Sequence, residues 1–262
     1  MKIITLSMIK YSQIPLEFDN VLPELLYDKT LKEIGDVIVY RGNSQCALSE
    51  YFDVAVEGEC NCASDCKIIM NGNLERVKYI GLNMSEGMIE VNSGVDLHLG
   101  AQMSGGHIIV NGDAESYVGR EMKGGLIEVN GSTKEFCGAS YMGEWRGMSG
   151  GKIIINGDVG EQLAECMSSG EIYVKGNCGK LLAIHMMGGY VQIDGDVDRW
   201  PAGQMKKGTV VINGSVGEIL EGFTKKETVA NPLINGKYHI GSYTLYVGDV
   251  TVRGKAQLWI KN

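Results

Sequence analysis

No stretch of this 262-residue chain approaches the roughly 18 consecutive apolar residues that a membrane-spanning helix needs, and no block of basic residues interrupts it. With 32 acidic against 24 basic residues the formal charge is −8, which argues against nucleic-acid or anionic-membrane partners and leaves a protein or a small molecule. P-loop, Rossmann, Gly-x-Ser-x-Gly and His-Glu-x-x-His signatures are all missing. The four histidines, His98, His107, His185 and His239, have no metal-ligand spacing among themselves and read as packed or surface residues. Acidic residues such as Glu90, Glu128, Glu135 and Glu161 are dispersed, and no localised pair asks to be a general acid and base. Seven cysteines, an odd number without paired spacing, point to a reducing cytoplasm rather than a disulfide framework. Met1 to Lys10, interrupted by Thr5 and Ser7, reads as a strand and not as a signal peptide.

Cys60, Cys62 and Cys66 form the one cysteine cluster, with Cys46 as a conceivable fourth ligand. Their spacing matches neither a zinc ribbon nor a ferredoxin run. They read as structural thiols in a loop, with a metal site as the alternative.

What the chain has in abundance is glycine, 37 residues, about twice ordinary usage. It follows a period. Met103-Ser-Gly-Gly106, Ile108-Ile-Val110-Asn-Gly112 and Gly119 return as Met122-Lys-Gly-Gly125, Ile127-Glu-Val129-Asn-Gly131 and Gly138. Methionine marks each step at Met84, Met103, Met122, Met148, Met167, Met186 and Met205, nineteen residues apart except for twenty-six between Met122 and Met148. A period of this size is the signature of a solenoid.

The columns define its type. Ile89, Ile108, Ile127, Ile153, Ile172, Val191 and Val210 fall in register, and so do Val91, Val110, Val129, Ile155, Val174, Ile193 and Ile212 two places on. Both columns are wholly β-branched, with a mixed column between, so each repeat contains a short strand with one buried face. Asn-Gly pairs at 111–112, 130–131, 156–157 and 213–214, with Asp194-Gly195, are expected to turn the chain through positive φ. Gly81, Gly100, Gly119 and Gly138, followed by Ala164, Ala183 and Ala202, mark a second tight bend. The methionines stack inside as core filler rather than as metal or haem ligands. Hairpins give no reason for like residues to recur at a constant step, so the reading is an all-β, right-handed parallel β-helix of 19-residue coils.

Residues 1–66 lack the repeat and are expected to form an N-terminal cap, 67–222 the β-helix, and 223–262 C-terminal capping strands. Thr30-Leu-Lys-Glu33 has capping-box spacing. Strands are expected at Val37–Tyr40, Phe52–Val56, Tyr243–Val247, Val250–Val252 and Leu258–Ile260, an exit loop around Lys225, Lys226 and Glu227, and a strand interruption at Trp200-Pro201 aligned with Leu181-Leu182. Seven extra residues fall between Gly138 and Met148, within Ala139-Ser-Tyr-Met-Gly-Glu-Trp-Arg-Gly147. Insertions in solenoids become surface loops, often on the binding face. Tyr141, Met142, Glu144, Trp145 and Arg146 are therefore the candidate partner contacts, since aromatic residues and Arg anchor interfaces. A loop folded back over its own chain is the alternative.

The Met-x-Gly-Gly-x-Ile-x-Val-x-Gly coils resemble the module at the C-terminal end of the glutamate synthase large subunit and, more closely, the C subunit of formylmethanofuran dehydrogenase. Gly138-Ala-Ser-Tyr-Met-Gly-Glu-Trp-Arg-Gly-Met-Ser-Gly-Gly151 is similar to that subunit's own phrase, as are Thr30-Leu-Lys-Glu-Ile34 and Tyr51-Phe-Asp-Val54. The cysteine cluster is not part of the resemblance. The resemblance implies a structural, non-catalytic subunit with no catalytic or cofactor residues of its own, in a cytoplasmic complex of methanogenic archaea that reduces CO2 to formate and condenses it with methanofuran. It further implies partners that carry a tungsten or molybdenum bis-pterin with iron–sulfur clusters, an amidohydrolase-like subunit with a binuclear metal site, and ferredoxin-type subunits. The C subunit of a formyltransferase/hydrolase complex, and a stand-alone β-helix enzyme or carbohydrate-binding protein, are the alternatives.

Overall fold

The computed structural model describes all 262 residues. Its regular secondary structure is mostly β, short strands joined by turns, with two short α-helices, Pro23–Leu26 and Leu31–Gly35, near the N-terminus. A thirteen-stranded mixed sheet runs the length of the molecule. Seven strands of its centre, Met88–Val91, His107–Val110, Leu126–Val129, Lys152–Ile155, Glu171–Val174, Tyr190–Ile193 and Thr209–Ile212, pair in parallel with like columns opposite one another. Ile127, for example, lies between Ile108 and Ile153. A second parallel ladder of single bridges links Leu74, Val95, Ala114, Thr133, Val159, Cys178 and Val197, again one repeat apart.

Burial follows the alternation read from the sequence. Both β-branched columns are buried in every repeat, and the seven methionines are fully enclosed. Each such side chain contributes about 1.5–3 kcal/mol as an upper estimate. The Gly/Ala column adopts positive φ throughout, from Gly81 at 72° to Ala202 at 61°. Each of its glycines faces an isoleucine two repeats on: Gly81 meets Ile108, Gly100 meets Ile127, Gly119 meets Ile153 and Gly138 meets Ile172, each through Cδ1. Where the column changes to Ala164 and Ala183, the residues two repeats on are Val191 and Val210, which have no Cδ1.

The Asn-Gly corners differ from expectation. Their glycines do not adopt positive φ. They are required because the chain packs on the preceding corner: a Cβ on Gly131 would stand 2.6 Å from the Gly112 carbonyl oxygen, and one on Gly157 2.7 Å from that of Gly131. The asparagines serve a side-chain ladder. Each Nδ2 donates to the Oδ1 of the preceding repeat, Asn92 to Asn71 (2.8 Å), Asn111 to Asn92 (2.8 Å), Asn130 to Asn111 (2.7 Å) and Asn156 to Asn130 (2.7 Å). Lys175 breaks the column, and the buried Asn156 Oδ1 is left without a donor. Besides the Gly/Ala column, positive φ falls on the glycine just before each central strand, such as Gly106, Gly125 and Gly151.

Both ends of the sheet are closed by the flanking segments. Lys2–Met8 pairs in parallel with Cys66–Asn71 and so extends the stack, and Phe52–Glu57 covers it antiparallel. Buried Lys2 donates through Nζ to the carbonyls of Leu26, Tyr27 and Lys29 (3.2, 3.0 and 2.6 Å), beyond the end of the first helix, where the carbonyls need donors. The Thr30–Glu33 capping box forms as expected.

At the far end Ala256–Lys261 joins the stack in parallel with Thr209–Ile212, followed by Ser242–Gly248 and Thr224–Ala230, both antiparallel. The expected exit loop at Lys225–Glu227 is thus part of an edge strand. Its exposed lysines and register shift between Lys225 and Glu227 suit an edge that must not pair further. Val250–Val252 is a turn of 3-10 helix, not a strand. Trp200-Pro201 interrupts no strand either: Leu181 and Trp200 occupy the same left-handed turn in successive repeats, at φ 62° and 57°.

Candidate functional site

The side of the stack that carries the Gly/Ala column turns through three alternating left-handed residues in each repeat except the one with the insertion, which has two. Flanking that column, side-chain-bearing residues hold positive φ at Tyr79, His98, Tyr117 and Phe136 on one side and at Asn83, Gln102, Glu121, Cys166, His185 and Gln204 on the other. Non-glycine residues seldom take this conformation. Here it is imposed by the stack, whose neighbouring repeat supplies the hydrogen-bond partners. Two parallel rows of side chains result, and sequence reasoning missed both because it read only the small residues between them.

Tyr79, His98, Tyr117 and Phe136 form a continuous ring stack, with centroids 5.0, 5.0 and 4.9 Å apart. His98 is buried within it and its Nδ1 has no partner. Burial, and then the positive charge of Arg120, push its pKa down to about 4. Burial likewise raises the Tyr79 and Tyr117 hydroxyl pKa values.

The insertion leaves the stack where the second row would have continued, at Ser140. Both of its feet rest on the next repeat: Ser140 N–H donates to the Glu165 carbonyl at 3.3 Å and Gly147 N–H to the Cys166 carbonyl at 3.0 Å. Tyr141 folds back, tilted against Tyr117 at 5.8 Å, with the Arg120 guanidinium 4.8 Å from its ring. Met142 and Trp145 point away, 75% and 72% exposed. Of the expected contact residues, then, Tyr141 is partly covered by its own chain, whereas Met142 and Trp145 stay open.

A cleft of about 720 Å³ lies beside the loop, lined by Arg120, Lys123 and Arg146 among its cations and by Glu121 and Glu144. Glu121 accepts from Gln102 Nε2 at 2.6 Å and lies 3.8 Å from Arg120. Arg120 Nε is buried with no acceptor. The arrangement suits a polar or charged group and shows no nucleophile held by a base.

Of the cysteine cluster, Cys60 and Cys66 are neighbours whereas Cys62 turns to Ser64, so the three thiols do not converge on one point. Cys62 is exposed with its Sγ 3.1 Å from Ser64 Oγ, Cys60 lies near the Tyr27 carbonyl, and Cys66 is buried, its thiol pKa pushed up to about 11 by burial and then by Cys60. A different trio converges: potential ligand atoms of Glu165, Cys166 and His185 all lie within 4.8 Å of one another. His185 Nδ1 is 3.8 Å from Glu165 Oε1, and Trp145 meets the His185 ring edge-on at 6.2 Å. A second exposed apolar surface, also unanticipated, lies on the hairpin at Leu233–Tyr238, where Leu233 and Tyr238 are exposed together with neighbouring Ile240.

Fold and loop define an all-β protein built from stacked repeats, whose one irregular rung presents aromatic and cationic side chains. No protein-family model matches the chain. Over 135 residues it is 55% identical to the C subunit of the tungsten-containing formylmethanofuran dehydrogenase 2 of Methanococcus maripaludis, covering 52% of this chain and 48% of that one. Over 87 residues it is 42% identical to the C subunit of the molybdenum-containing formylmethanofuran dehydrogenase 1 of Methanothermobacter marburgensis, covering 33% and 21% respectively. The matched stretches thus take in less than half of these relatives' length. Over these stretches the chain is similar to C subunits of both molybdenum- and tungsten-containing formylmethanofuran dehydrogenases. Its fold is shared with a chain of the formyltransferase/hydrolase complex from Methylorubrum extorquens, solved with methylofuran, at a TM-score of 0.87 and 24% identity over 98% of this chain and 99% of that one.

Proposed function

We propose that this chain is a structural, non-catalytic subunit of a formylmethanofuran dehydrogenase complex, and that its repeats wind as a right-handed parallel β-helix. The observation that carries the reading is the 55% identity to a C subunit over 135 residues. The helix is supported by two separate ladders that both advance one repeat per step, the strand ladder and the bridge ladder. In this reading the tungsten or molybdenum bis-pterin, the iron–sulfur clusters and the binuclear metal site belong to partner subunits, in the cytoplasm. The complex reduces CO2 to formate and condenses it with methanofuran.

Tyr141, Met142, Glu144, Trp145 and Arg146 are the docking residues. The exposure of Met142 and Trp145 on one short loop supports this, because large apolar side chains left in solvent mark interaction surfaces. A formyltransferase/hydrolase complex is the second reading, favoured by the TM-score of 0.87 over nearly the whole chain. The non-catalytic role is tested with the full chain purified anaerobically and assayed for formate oxidation and CO2 reduction with an artificial electron carrier. No turnover is expected, and metal-dependent turnover by the isolated chain overturns it.

A further inference from the structure

We infer that Glu165, Cys166 and His185 form a binding site for one zinc-class divalent cation. Cys166 and His185 occupy the same row in successive repeats, with left-handed backbones at φ 56° and 58°. Each is pinned by a bond to the next repeat, Cys166 N–H to the Ile184 carbonyl at 3.1 Å and His185 N–H to the Gly203 carbonyl at 2.9 Å. Their side chains therefore project alike, one rung apart, before any ion arrives. Glu165, next to Cys166, supplies the third group.

The geometry is close to that of a bound ion. Metal–ligand distances of about 2.0–2.3 Å in a tetrahedron place ligand atoms roughly 3.3–3.8 Å apart. His185 Nδ1 and Glu165 Oε1 already stand at 3.8 Å, and all three ligand atoms lie within 4.8 Å. The remaining approach is within the reach of side-chain rotation.

The donor set selects the ion. One sulfur, one imidazole nitrogen and one carboxylate suit zinc, whereas magnesium and calcium take oxygen ligands. No other neighbours in this row offer the combination, since the remaining left-handed members are Asn83, Gln102, Glu121 and Gln204. The row carries soft and imidazole donors only in the two repeats directly after the insertion. With the His185 and Glu165 side chains 30% and 20% exposed, the trio is reached by solvent, and Trp145 lies at the edge of His185. Binding converts the Cys166 thiol to a thiolate and releases its proton to solvent.

The test titrates the full chain anaerobically with Co²⁺ as the spectroscopic probe. The expected result is a thiolate-to-cobalt charge-transfer band that saturates at one equivalent and is displaced by Zn²⁺. Loss of an outer-shell partner alone costs about 10–100-fold in affinity, so removal of a ligand by His185→Gln is expected to weaken binding by at least about 100-fold. Cys166→Ser removes the band itself. Cys166 is buried, so circular dichroism accompanies that variant, and the exposed-side His185→Gln and Glu165→Gln variants carry the assignment independently. Cys62→Ser leaves the band intact. No charge-transfer band, a band that survives both His185→Gln and Glu165→Gln, or a band lost in Cys62→Ser overturns the proposal.

Discussion

Replacing Gly119 by Ala tests how the stack is packed. Gly119 holds φ 60°, and a Cβ there would run into Ile153 Cδ1, two repeats on. A left-handed alanine costs about 1–2 kcal/mol, and forcing a methyl into a filled core adds about 1–3 kcal/mol. Gly119→Ala is therefore expected to destabilise by roughly 2–5 kcal/mol. Ile153→Val alone costs about 0.5–1.5 kcal/mol for the methyl it removes. Combined, the two relieve each other, because with Cδ1 gone the nearest remaining Ile153 atom is Cγ1 at 3.4 Å from the new methyl. The steric part, about 1–3 kcal/mol, then returns as favourable coupling. The chain itself makes this exchange where Ala164 and Ala183 are matched two repeats on by Val191 and Val210. Urea unfolding of the four chains of the cycle, followed by fluorescence, measures it. If the double variant is additive within about 0.5 kcal/mol, the packing argument is wrong.

Further expectations are open to the same kind of measurement. Asn130→Ala removes two ladder bonds and is expected to cost about 1–2 kcal/mol, whereas Asn156→Ala, whose Oδ1 receives no bond, costs less; urea midpoints compare them. His98 has a folded pKa of about 4 against an ordinary value near 6.5. The unfolded chain therefore takes up the proton first on acidification, and stability falls as pH drops from about 6.5 towards 4. His98→Phe, the residue type found in the same row at Phe136, is expected to flatten that part of the pH–stability curve, and an unchanged slope refutes the assignment. Trp145→Ala and Arg146→Ala are expected to alter the isolated chain by no more than about 1 kcal/mol while weakening assembly by about 2 kcal/mol or more. Native mass spectrometry of co-expressed subunits reads the second effect, and normal assembly of both variants removes the docking role.

What the sequence disclosed was whatever a column of one residue type could carry. The β-branched columns, the buried methionines and the Gly/Ala bend all follow from identity at a fixed step. The Asn-Gly corners show where such reading stops: the residues are conspicuous, but their reason is contact with the preceding repeat, which propensity for positive φ does not describe. The left-handed rows were hidden for a related reason. Residues as unlike as Tyr79, His98 and Phe136 share a backbone state that the stack imposes and their own preferences do not announce. The convergence of Glu165, Cys166 and His185 was obscured in the same way, since two of its members are a full repeat apart in the chain. At the C-terminal end the repeat is gone, and strands built on Lys225–Glu227 are set by pairing with Ser242–Gly248 rather than by their own composition.

Whether this chain is a scaffold subunit of a formylmethanofuran dehydrogenase complex is tested most directly by anaerobic affinity purification of the tagged full chain from its native cells. Co-purifying proteins are identified by mass spectrometry and metals by elemental analysis. A scaffold role predicts a bis-pterin subunit and an amidohydrolase-like subunit in stoichiometric amounts, with tungsten or molybdenum and formylmethanofuran oxidation in the same fraction. Recovery of the chain alone, or with formyltransferase subunits and neither metal, contradicts it.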